Sequence, residues 1–181
     1  PYDARCPFPG LSAFQASDRS FFFGREDLVQ RLTERMVVER FLALLGPSGS
    51  GKSSLLRAGV IPALQARDPS MTVQVMTPGG HPLAALHALL AQTAGDTPHN
   101  PKAPGGDVTM LLCIDQFEEI FTHCSDERER REFLDLLLTL HGQRQYFVAV
   151  AMRADYWGEC AAYSEWKGAM LAHQELIGPM G

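Results

Sequence analysis

The most informative stretch of the 181-residue sequence is Gly46-Pro47-Ser48-Gly49-Ser50-Gly51-Lys52-Ser53. It follows the apolar run Phe41 to Leu45, which is typical of a strand buried on both faces. It opens the segment Lys52 to Ile61, for which we predict a helix that Pro62 kinks or ends. A G-x-x-x-x-G-K-[ST] pattern between a strand and a helix indicates a phosphate-binding loop. By average residue frequencies, a chance match in a chain of this length has odds of about 1%.

Each residue type in this loop has a physical role in holding a nucleoside triphosphate. Glycines let successive backbone N–H groups turn inward around the phosphates, and the N-terminus of the following helix favours negative charge. We expect Lys52 to reach the β- and γ-phosphates, and the Ser53 hydroxyl to bind Mg²⁺. The predicted nucleotide-binding residues here are Gly46, Pro47, Ser48, Gly49, Ser50, Gly51, Lys52, Ser53 and Ser54.

Short apolar runs alternate with segments of helical periodicity along the rest of the chain. We predict further strands at Thr72 to Met76, Met110 to Ile114 and Phe147 to Met152, with a short fifth strand beginning at Leu176-Ile177. Predicted helices end at Val38, begin at Pro82, and cover Phe117 to Thr122, Asp126 to Leu140 and most of Asp155 to Leu171. This alternation predicts an α/β fold, a three-layer domain in which helices cover both faces of a mainly parallel sheet of about five strands.

Carboxylates follow the third predicted strand. Asp115 ends its apolar run, and the carboxyl ends of parallel strands lie along one edge of a sheet, so we expect Asp115 beside the phosphate loop. There it can hold Mg²⁺, directly or through water, as the Walker B aspartate. Glu118 or Glu119 would orient or deprotonate the attacking water. Glu118 is our first choice, because an i+3 residue can face the same way as Asp115 once a helix begins. For each glutamate, the alternative is a charge at the start of a helix.

Two further candidates lie at Arg153 and before the first core strand. Arg153 directly follows the strand Phe147 to Met152, where its guanidinium could contact γ-phosphate oxygens and distinguish a triphosphate from a diphosphate. The alternative is a surface ion pair with Asp155 or Glu159. Phe23-Gly24-Arg25-Glu26 could wall an adenine pocket, or act only as a hydrophobic staple ahead of a helix.

Composition disfavours several classes of function. The net charge of -5 argues against a nucleic-acid surface, which needs clustered Lys and Arg. The arginines Arg128, Arg130 and Arg131 alternate with acidic residues, as on a solvated helix. No apolar run reaches the length of a membrane span. Cysteines without C-x-x-C spacing favour a reduced, cytoplasmic protein.

These motifs together resemble those of the STAND class of signalling NTPases, in particular the bacterial type often fused to WD-repeat propellers. The resemblance covers nearly the whole chain. The matching stretches are Pro7 to Leu11 with Phe14, Phe21 to Glu26, Gly46 to Ser53, Ala58 to Leu64, Pro78 to Leu83, Asp115 to Glu119, Arg153 to Tyr156 and Gly178 to Met180.

The resemblance implies an ATP-driven switch that is closed with ADP and opens with ATP to assemble and activate an attached effector. It implies ATP or ADP with Mg²⁺ as cofactors, a nucleotide-dependent homo-oligomer, and C-terminal sensor or repeat domains as partners. The preference for adenine over guanine is implied by the resemblance, since the guanine-reading N-K-x-D motif is not present. The residue roles it implies are phosphate and Mg²⁺ binding by Lys52, Ser53 and Asp115, hydrolysis by Glu118 and Glu119, γ-phosphate sensing by Arg153, and a nucleotide pocket at Gly24 and Arg25.

We divide the chain into an irregular wrapping segment, residues 1–20, and an NTPase core, residues 21–181. The chain begins with Pro1 and stops at Gly181, where family members continue into a helical lid, a winged-helix domain and a sensing array. We therefore expect a core fragment that hydrolyses ATP slowly. The Pro- and Gly-rich loop Gly95 to Asp107 is shorter than the stretch expected from the family, which could remove a helix from the sheet face.

Two other functions stay open. A P-loop small-molecule kinase would need a substrate pocket and an arginine-rich lid after the third strand, and the acidic run Gln116 to Glu119 suits water activation better. A nucleotide-binding interaction module would hydrolyse nothing. The nucleotide retained on purification separates this module from the switch, because ADP indicates hydrolysis and intact ATP indicates an inert site.

Overall fold

The computed structural model describes residues 25–96 and 109–178. The strands are β1 (Phe41–Gly46), β2 (Thr72–Met76), β3 (Met110–Ile114), β4 (Tyr146–Arg153) and β5 (Gln174–Leu176). The helices are α1 (Glu26–Glu39), α2 (Lys52–Ser54), α3 (Ile61–Arg67), α4 (Pro82–Asp96), α5 (Glu119–Thr122), α6 (Glu127–Gly142), α7 (Trp157–Cys160) and α8 (Ser164–His173). A π-helical stretch (Leu55–Val60) joins α2 to α3, and a 3-10 turn (Ala154–Tyr156) joins β4 to α7. The predicted wrapping segment, residues 1–20, lies outside the described residues.

The five strands form one sheet in the order β2-β3-β4-β1-β5, and every neighbouring pair is parallel. β4 therefore lies between β1, which leads into the phosphate loop, and β3, which leads to Asp115. The register pairs Gly46 with Arg153 and Ile114 with Val150, so these strands end at one edge. The predicted parallel sheet of about five strands is confirmed.

Successive residues of β1 face two separate hydrophobic cores. Phe41, Ala43 and Leu45 pack with side chains of α4, α6 and α8. Leu42 and Leu44 pack with side chains of α1, the π-helical stretch and α3. All six residues of β1 are buried, because helices cover both faces, and this accounts for its wholly apolar sequence. The predicted three-layer architecture is confirmed.

The helix after the phosphate loop does not end at Pro62. The backbone stays helical through Val60 and Ile61, and Pro62 lies in the first turn of α3. A proline inside a helix lacks an N–H and its ring clashes with the carbonyl four residues earlier. The wider turns of the π-helical stretch Leu55–Val60 accommodate this defect without breaking the helix. The helical run therefore continues to Arg67.

Phe117 anchors the chain where it leaves β3. Gln116 adopts a left-handed conformation, with φ of 52°, and turns the backbone from β2 toward β4. The N–H of Phe117 then donates to the carbonyl of Ala151 on β4, at 2.9 Å. The fully buried Phe117 ring stacks on Trp166, with centroids 5.0 Å apart. This packing sets the position of the acidic residues on either side.

The helix α4 extends to Asp96, two residues into the predicted loop from Gly95 to Asp107. Residues 97–108 lie outside the described part of the chain. Within residues 25–96 and 109–178, none of the helices has the length and apolar character required to cross a membrane.

Replacing Phe117 by Ala should lower the free energy of unfolding by about 3–5 kcal/mol, because the substitution leaves a cavity between the sheet and three other aromatic rings. Urea denaturation measures this loss. Val38→Ala is the control, since Val38 is 81% exposed and its truncation should change stability by less than about 0.5 kcal/mol. Equal losses in the two variants would contradict the anchoring role of Phe117.

Candidate nucleotide-binding site

The phosphate loop connects β1 to α2 and takes a conformation that requires its glycines. Gly49 and Gly51 have φ values of 76° and 83°, in the left-handed region that favours glycine. Gly46 is required for a different reason. A Cβ at this position would lie 2.3 Å from the carbonyl oxygen of Ile177, because Ile177 donates its N–H to Leu45 beside it.

The Lys52 side chain lies inside the loop and is only 9% exposed. Its ammonium donates to the carbonyl oxygens of Gly46 at 3.0 Å and Pro47 at 2.8 Å, and to the Ser50 hydroxyl at 3.4 Å. Burial lowers the pKa of Lys52, and the nearby charges of Glu118 and Asp115 act in the opposite direction. The loop thus holds a buried cation close to two carboxylates. Ser54, the last residue of α2, is also buried, while residues 47–49 of the loop are exposed.

The side chains of Asp115 and Ser53 contact each other, although β4 lies between the strands that precede them. The Asp115 residue is 4% exposed, and its Oδ1 accepts hydrogen bonds from the Ser53 hydroxyl at 2.6 Å and from the backbone N–H of Gln116 at 3.0 Å. Its Oδ2 lies 3.0 Å from a guanidinium nitrogen of Arg57. The sheet therefore brings the predicted phosphate loop and the predicted Walker B position into direct contact.

The Ser53–Asp115 pair has the donor chemistry that Mg²⁺ prefers. A hydroxyl and a carboxylate are hard oxygen ligands, and Mg²⁺ usually takes one or two protein carboxylates and completes its shell with phosphate oxygens and water. In the described ranges, no group of three or more His, Cys, Asp or Glu side chains could hold a metal ion. The residues present thus fit Mg²⁺ that arrives with a nucleotide.

Glu118 and Glu119 point in different directions. The Glu118 carboxylate accepts a hydrogen bond from the backbone N–H of Arg153 at 3.2 Å, at the end of β4, and its charge acts on Lys52. The Glu119 carboxylate instead accepts from the N–H of Gly79 at 3.1 Å, in the turn after β2. Glu118 is therefore on the phosphate-loop side of the acidic run, and Glu119 is on the β2 side.

The Arg153 backbone lies beside Gly46, but its side chain forms an ion pair with Asp155. Two guanidinium nitrogens contact the Asp155 carboxylate, at 3.1 and 2.5 Å, and the guanidinium also lies over the Tyr156 ring. The ion pair raises the pKa of Arg153 and lowers that of Asp155. The side chain is 43% exposed. Its placement matches the surface ion pair that the sequence left open as the alternative to γ-phosphate contact.

Arg25, directly before α1, contacts the residues that follow β5. Its Nη2 donates to the carbonyl of Gly178 at 3.2 Å, and its Nη1 is buried without a hydrogen-bond partner among the described residues. Gly178 directly follows Ile177, whose carbonyl lies against Gly46. Arg25 is thereby placed near the first residue of the phosphate loop. Gly24, the other predicted pocket residue, lies outside the described residues.

Two residues at the site were missed by the sequence interpretation. Arg57 forms an ion pair with Asp115, and its position four residues after Ser53 on a predicted helix was an available signal. Gln116 turns the backbone through its left-handed conformation and donates its N–H to Asp115. Nothing in the local sequence indicates that a glutamine adopts this rare conformation.

A glycine-rich loop between a buried strand and a helix, with its lysine and serine next to a strand-end aspartate, defines a P-loop NTPase domain. The chain belongs to the family described as Novel STAND NTPase 1, whose family model matches residues 7–181. The predicted membership of the STAND class is thus confirmed, whereas the bacterial origin and the WD-repeat fusion stay predictions.

Solved structures with a similar fold have low sequence identity. The ORC2 protein of Aeropyrum pernix, in ADPNP–ADP complexes, matches with a TM-score of 0.58 and 14% identity, over 87% of this chain and 48% of that chain. The Walker-type ATPase PABY2304 of Pyrococcus abyssi matches with a TM-score of 0.56 and 13% identity, over 94% of this chain and 57% of that chain. RIF2 of Saccharomyces cerevisiae matches with a TM-score of 0.56 and 10% identity, over 92% of this chain and 59% of that chain.

These likenesses support the fold. This chain spans about half the length of the first two solved structures it matches, both of the ORC2 protein. The comparison with curated proteins finds no significant match.

Proposed function

We propose that this chain is the ATP-binding and slowly ATP-hydrolysing switch domain of a STAND-type signalling NTPase. The observation that carries the proposal is the 2.6 Å hydrogen bond from Ser53 to Asp115, close to the buried Lys52, because it brings together the residues that we propose to bind phosphate and Mg²⁺. Family membership supports nucleotide binding in general. ATP is favoured over GTP by the family resemblance and by the ADPNP and ADP bound to the ORC2 structure.

In this proposal the phosphate loop binds the nucleotide through its backbone and through Lys52. The backbone N–H groups of residues 48–53 surround the phosphates, and Lys52 exchanges its contacts with the loop carbonyls for phosphate oxygens. Ser53 and Asp115 hold Mg²⁺, which when bound neutralises charge on the β- and γ-phosphate oxygens. Gly24 and Arg25 contribute to the base pocket, in keeping with the position of Arg25 beside Gly178.

Glu118 is the general base of the proposed hydrolysis. Its carboxylate lies next to the end of β4 and acts electrostatically on Lys52, so it is on the side where the γ-phosphate would be held. It would orient the attacking water and accept its proton. Glu119 accepts a hydrogen bond from the turn after β2, and we assign it a supporting role in holding that turn against the acidic run.

Arg153 is the proposed sensor of the γ-phosphate. It reaches this role by exchanging Asp155 for a phosphate oxygen, and an exposed ion pair opposes such an exchange only weakly. The backbone N–H of Arg153 donates a hydrogen bond to Glu118, so a movement of the sensor would also displace the proposed base. This link supports coupling between nucleotide state and hydrolysis.

The wider role in the proposal follows the family resemblance. C-terminal sensor or repeat domains and an effector would be attached in the full-length protein, and ATP would favour a homo-oligomer. A cytoplasmic location is favoured by the cysteine spacing of the sequence. Hydrolysis would be slow without a lid that excludes water and without an arginine supplied by a partner, which can contribute about 10³ to 10⁵ in rate.

Replacing Lys52 by Ala should abolish most of the stabilisation that Mg²⁺ and a non-hydrolysable ATP analogue give to the wild type. At 100 times its dissociation constant a ligand stabilises by about 2.7 kcal/mol, which raises the melting temperature of a domain of this size by roughly 5–10 °C. Differential scanning fluorimetry measures the shift. Lys167→Ala, on α8, is the matched control and should keep the full shift. Equal shifts in both variants and the wild type would refute the phosphate-loop assignment.

Glu118→Gln should reduce steady-state ATP turnover by at least about 100-fold and leave ATP affinity nearly unchanged, because a general base acts on the water and not on the bound phosphates. Glu119→Gln is the matched control and should keep most of the turnover. Phosphate release and calorimetric titration measure the two quantities. Loss of turnover in Glu119→Gln alone would reverse the assignment, and a wild type that retains intact ATP would favour the inert interaction module.

Arg153→Ala should weaken binding of the ATP analogue by about 10- to 100-fold and barely change ADP affinity, because only the triphosphate offers the γ-phosphate oxygens. Calorimetric titration with both nucleotides measures the difference. Arg144→Ala, at an exposed position before β4, should change neither affinity. If Arg153→Ala weakens both nucleotides equally, the residue is a general phosphate or structural contact, and the sensor role fails.

A further inference from the structure

The Asp115 carboxylate carries an ion pair on the oxygen that Ser53 does not use. A guanidinium nitrogen of Arg57 lies 3.0 Å from Oδ2, and the Asp115 side chain is 5% exposed. Oδ1 accepts from Ser53 and from the Gln116 N–H. One buried carboxylate thus has a hydroxyl donor on one oxygen and a full positive charge on the other.

The geometry of the helical run after the phosphate loop explains this arrangement. Ser53 and Arg57 are four residues apart, so their side chains emerge on the same face of the helix, one turn apart. Both reach Asp115. In the described part of the chain Arg57 forms its ion pair with Asp115 alone, and its Nε is buried without a hydrogen-bond partner. The guanidinium is thus held at this one carboxylate, while the Arg57 side chain as a whole stays 29% exposed.

We propose that Arg57 is the internal counter-cation of Asp115 and competes with Mg²⁺ for this carboxylate. The inference rests on the proposed function, in which Asp115 holds Mg²⁺. A buried carboxylate without an opposite charge is strongly unfavourable, and Arg57 supplies the directly paired charge when no metal is bound, with the Lys52 ammonium also nearby. Mg²⁺ near the same carboxylate repels the guanidinium. By linkage, the free energy with which the Arg57 ion pair stabilises Asp115 in the absence of metal reduces the binding free energy of Mg²⁺ with nucleotide.

Arg57→Gln tests the competition, because the amide keeps hydrogen-bonding capacity but carries no charge. At a fixed concentration of a non-hydrolysable ATP analogue, MgCl₂ is titrated and binding is followed by calorimetry. Charge-assisted hydrogen bonds are about twice as strong as neutral ones, so the MgCl₂ concentration at half-saturation should fall by about 5- to 10-fold. Arg57→Lys keeps the charge and should stay within about twofold of the wild type.

Arg31→Gln is the matched control for losing an arginine ion pair elsewhere. Arg31 pairs with Glu175 on β5 at 2.8 Å, so this variant should leave the MgCl₂ dependence unchanged. An unchanged or higher half-saturating MgCl₂ concentration in Arg57→Gln overturns the competition while leaving the proposed function in place. A wild type that binds the analogue at no MgCl₂ concentration overturns the proposed function, and the inference with it.

Melting temperatures in EDTA without nucleotide give a second readout. Arg57→Gln should melt below the wild type and Arg57→Lys, and adding MgCl₂ with the analogue should raise its melting temperature by more than that of the wild type. Adding Asp115→Asn to Arg57→Gln should restore stability in EDTA, because the side chain that lost its directly paired cation is then neutral. If Arg57→Gln fails to fold but the double variant folds, the proposal is supported. If the double variant is no more stable than Arg57→Gln, Arg57 has only a packing role and the proposal fails.

Discussion

The contact between Asp115 and the helix that follows the phosphate loop is the interaction on which the site depends. Asp115 directly follows β3 and Ser53 lies in the first turn of the helix after β1, yet β4 lies between these two strands. The 2.6 Å hydrogen bond can form only because all the strands are parallel and their carboxyl ends lie along one edge. Burial of Asp115 then makes each partner of its carboxylate energetically important, since unpaired charge in the interior is strongly disfavoured.

The same edge separates residues that are adjacent in the sequence. Glu118 accepts a hydrogen bond from the end of β4, and Glu119 accepts one from the turn after β2. They diverge because Gln116 turns the chain and Phe117 is buried between the sheet and α8. An aromatic ring without chemical function therefore determines which carboxylate faces the phosphate loop. The central position of β4 similarly places the Arg153 backbone beside both Gly46 and Glu118.

Much of the fold could be predicted from the sequence because the signals are local. β2 and β3 have the predicted bounds, since a short apolar run between turn residues has few other solutions in an α/β chain. The sequence left open whether Pro62 kinks or ends its helix, and the helical run continues because a proline disfavours the regular α-helix but not a π-helical stretch ahead of it. The family was also readable from the combination of motifs, and the family match over residues 7–181 confirms it.

The sequence by itself determined that this protein has a phosphate-binding loop, a parallel α/β sheet and a strand-end aspartate. Each of these follows from residue type and spacing along a few consecutive positions. Only the tertiary structure decided that Arg57 forms an ion pair with Asp115, that Glu118 and Glu119 diverge, and that Arg153 pairs with Asp155. The first two contacts depend on the order of the strands, and all three depend on side-chain direction at the strand ends. Both are set by packing across the whole sheet, which no local stretch of sequence encodes.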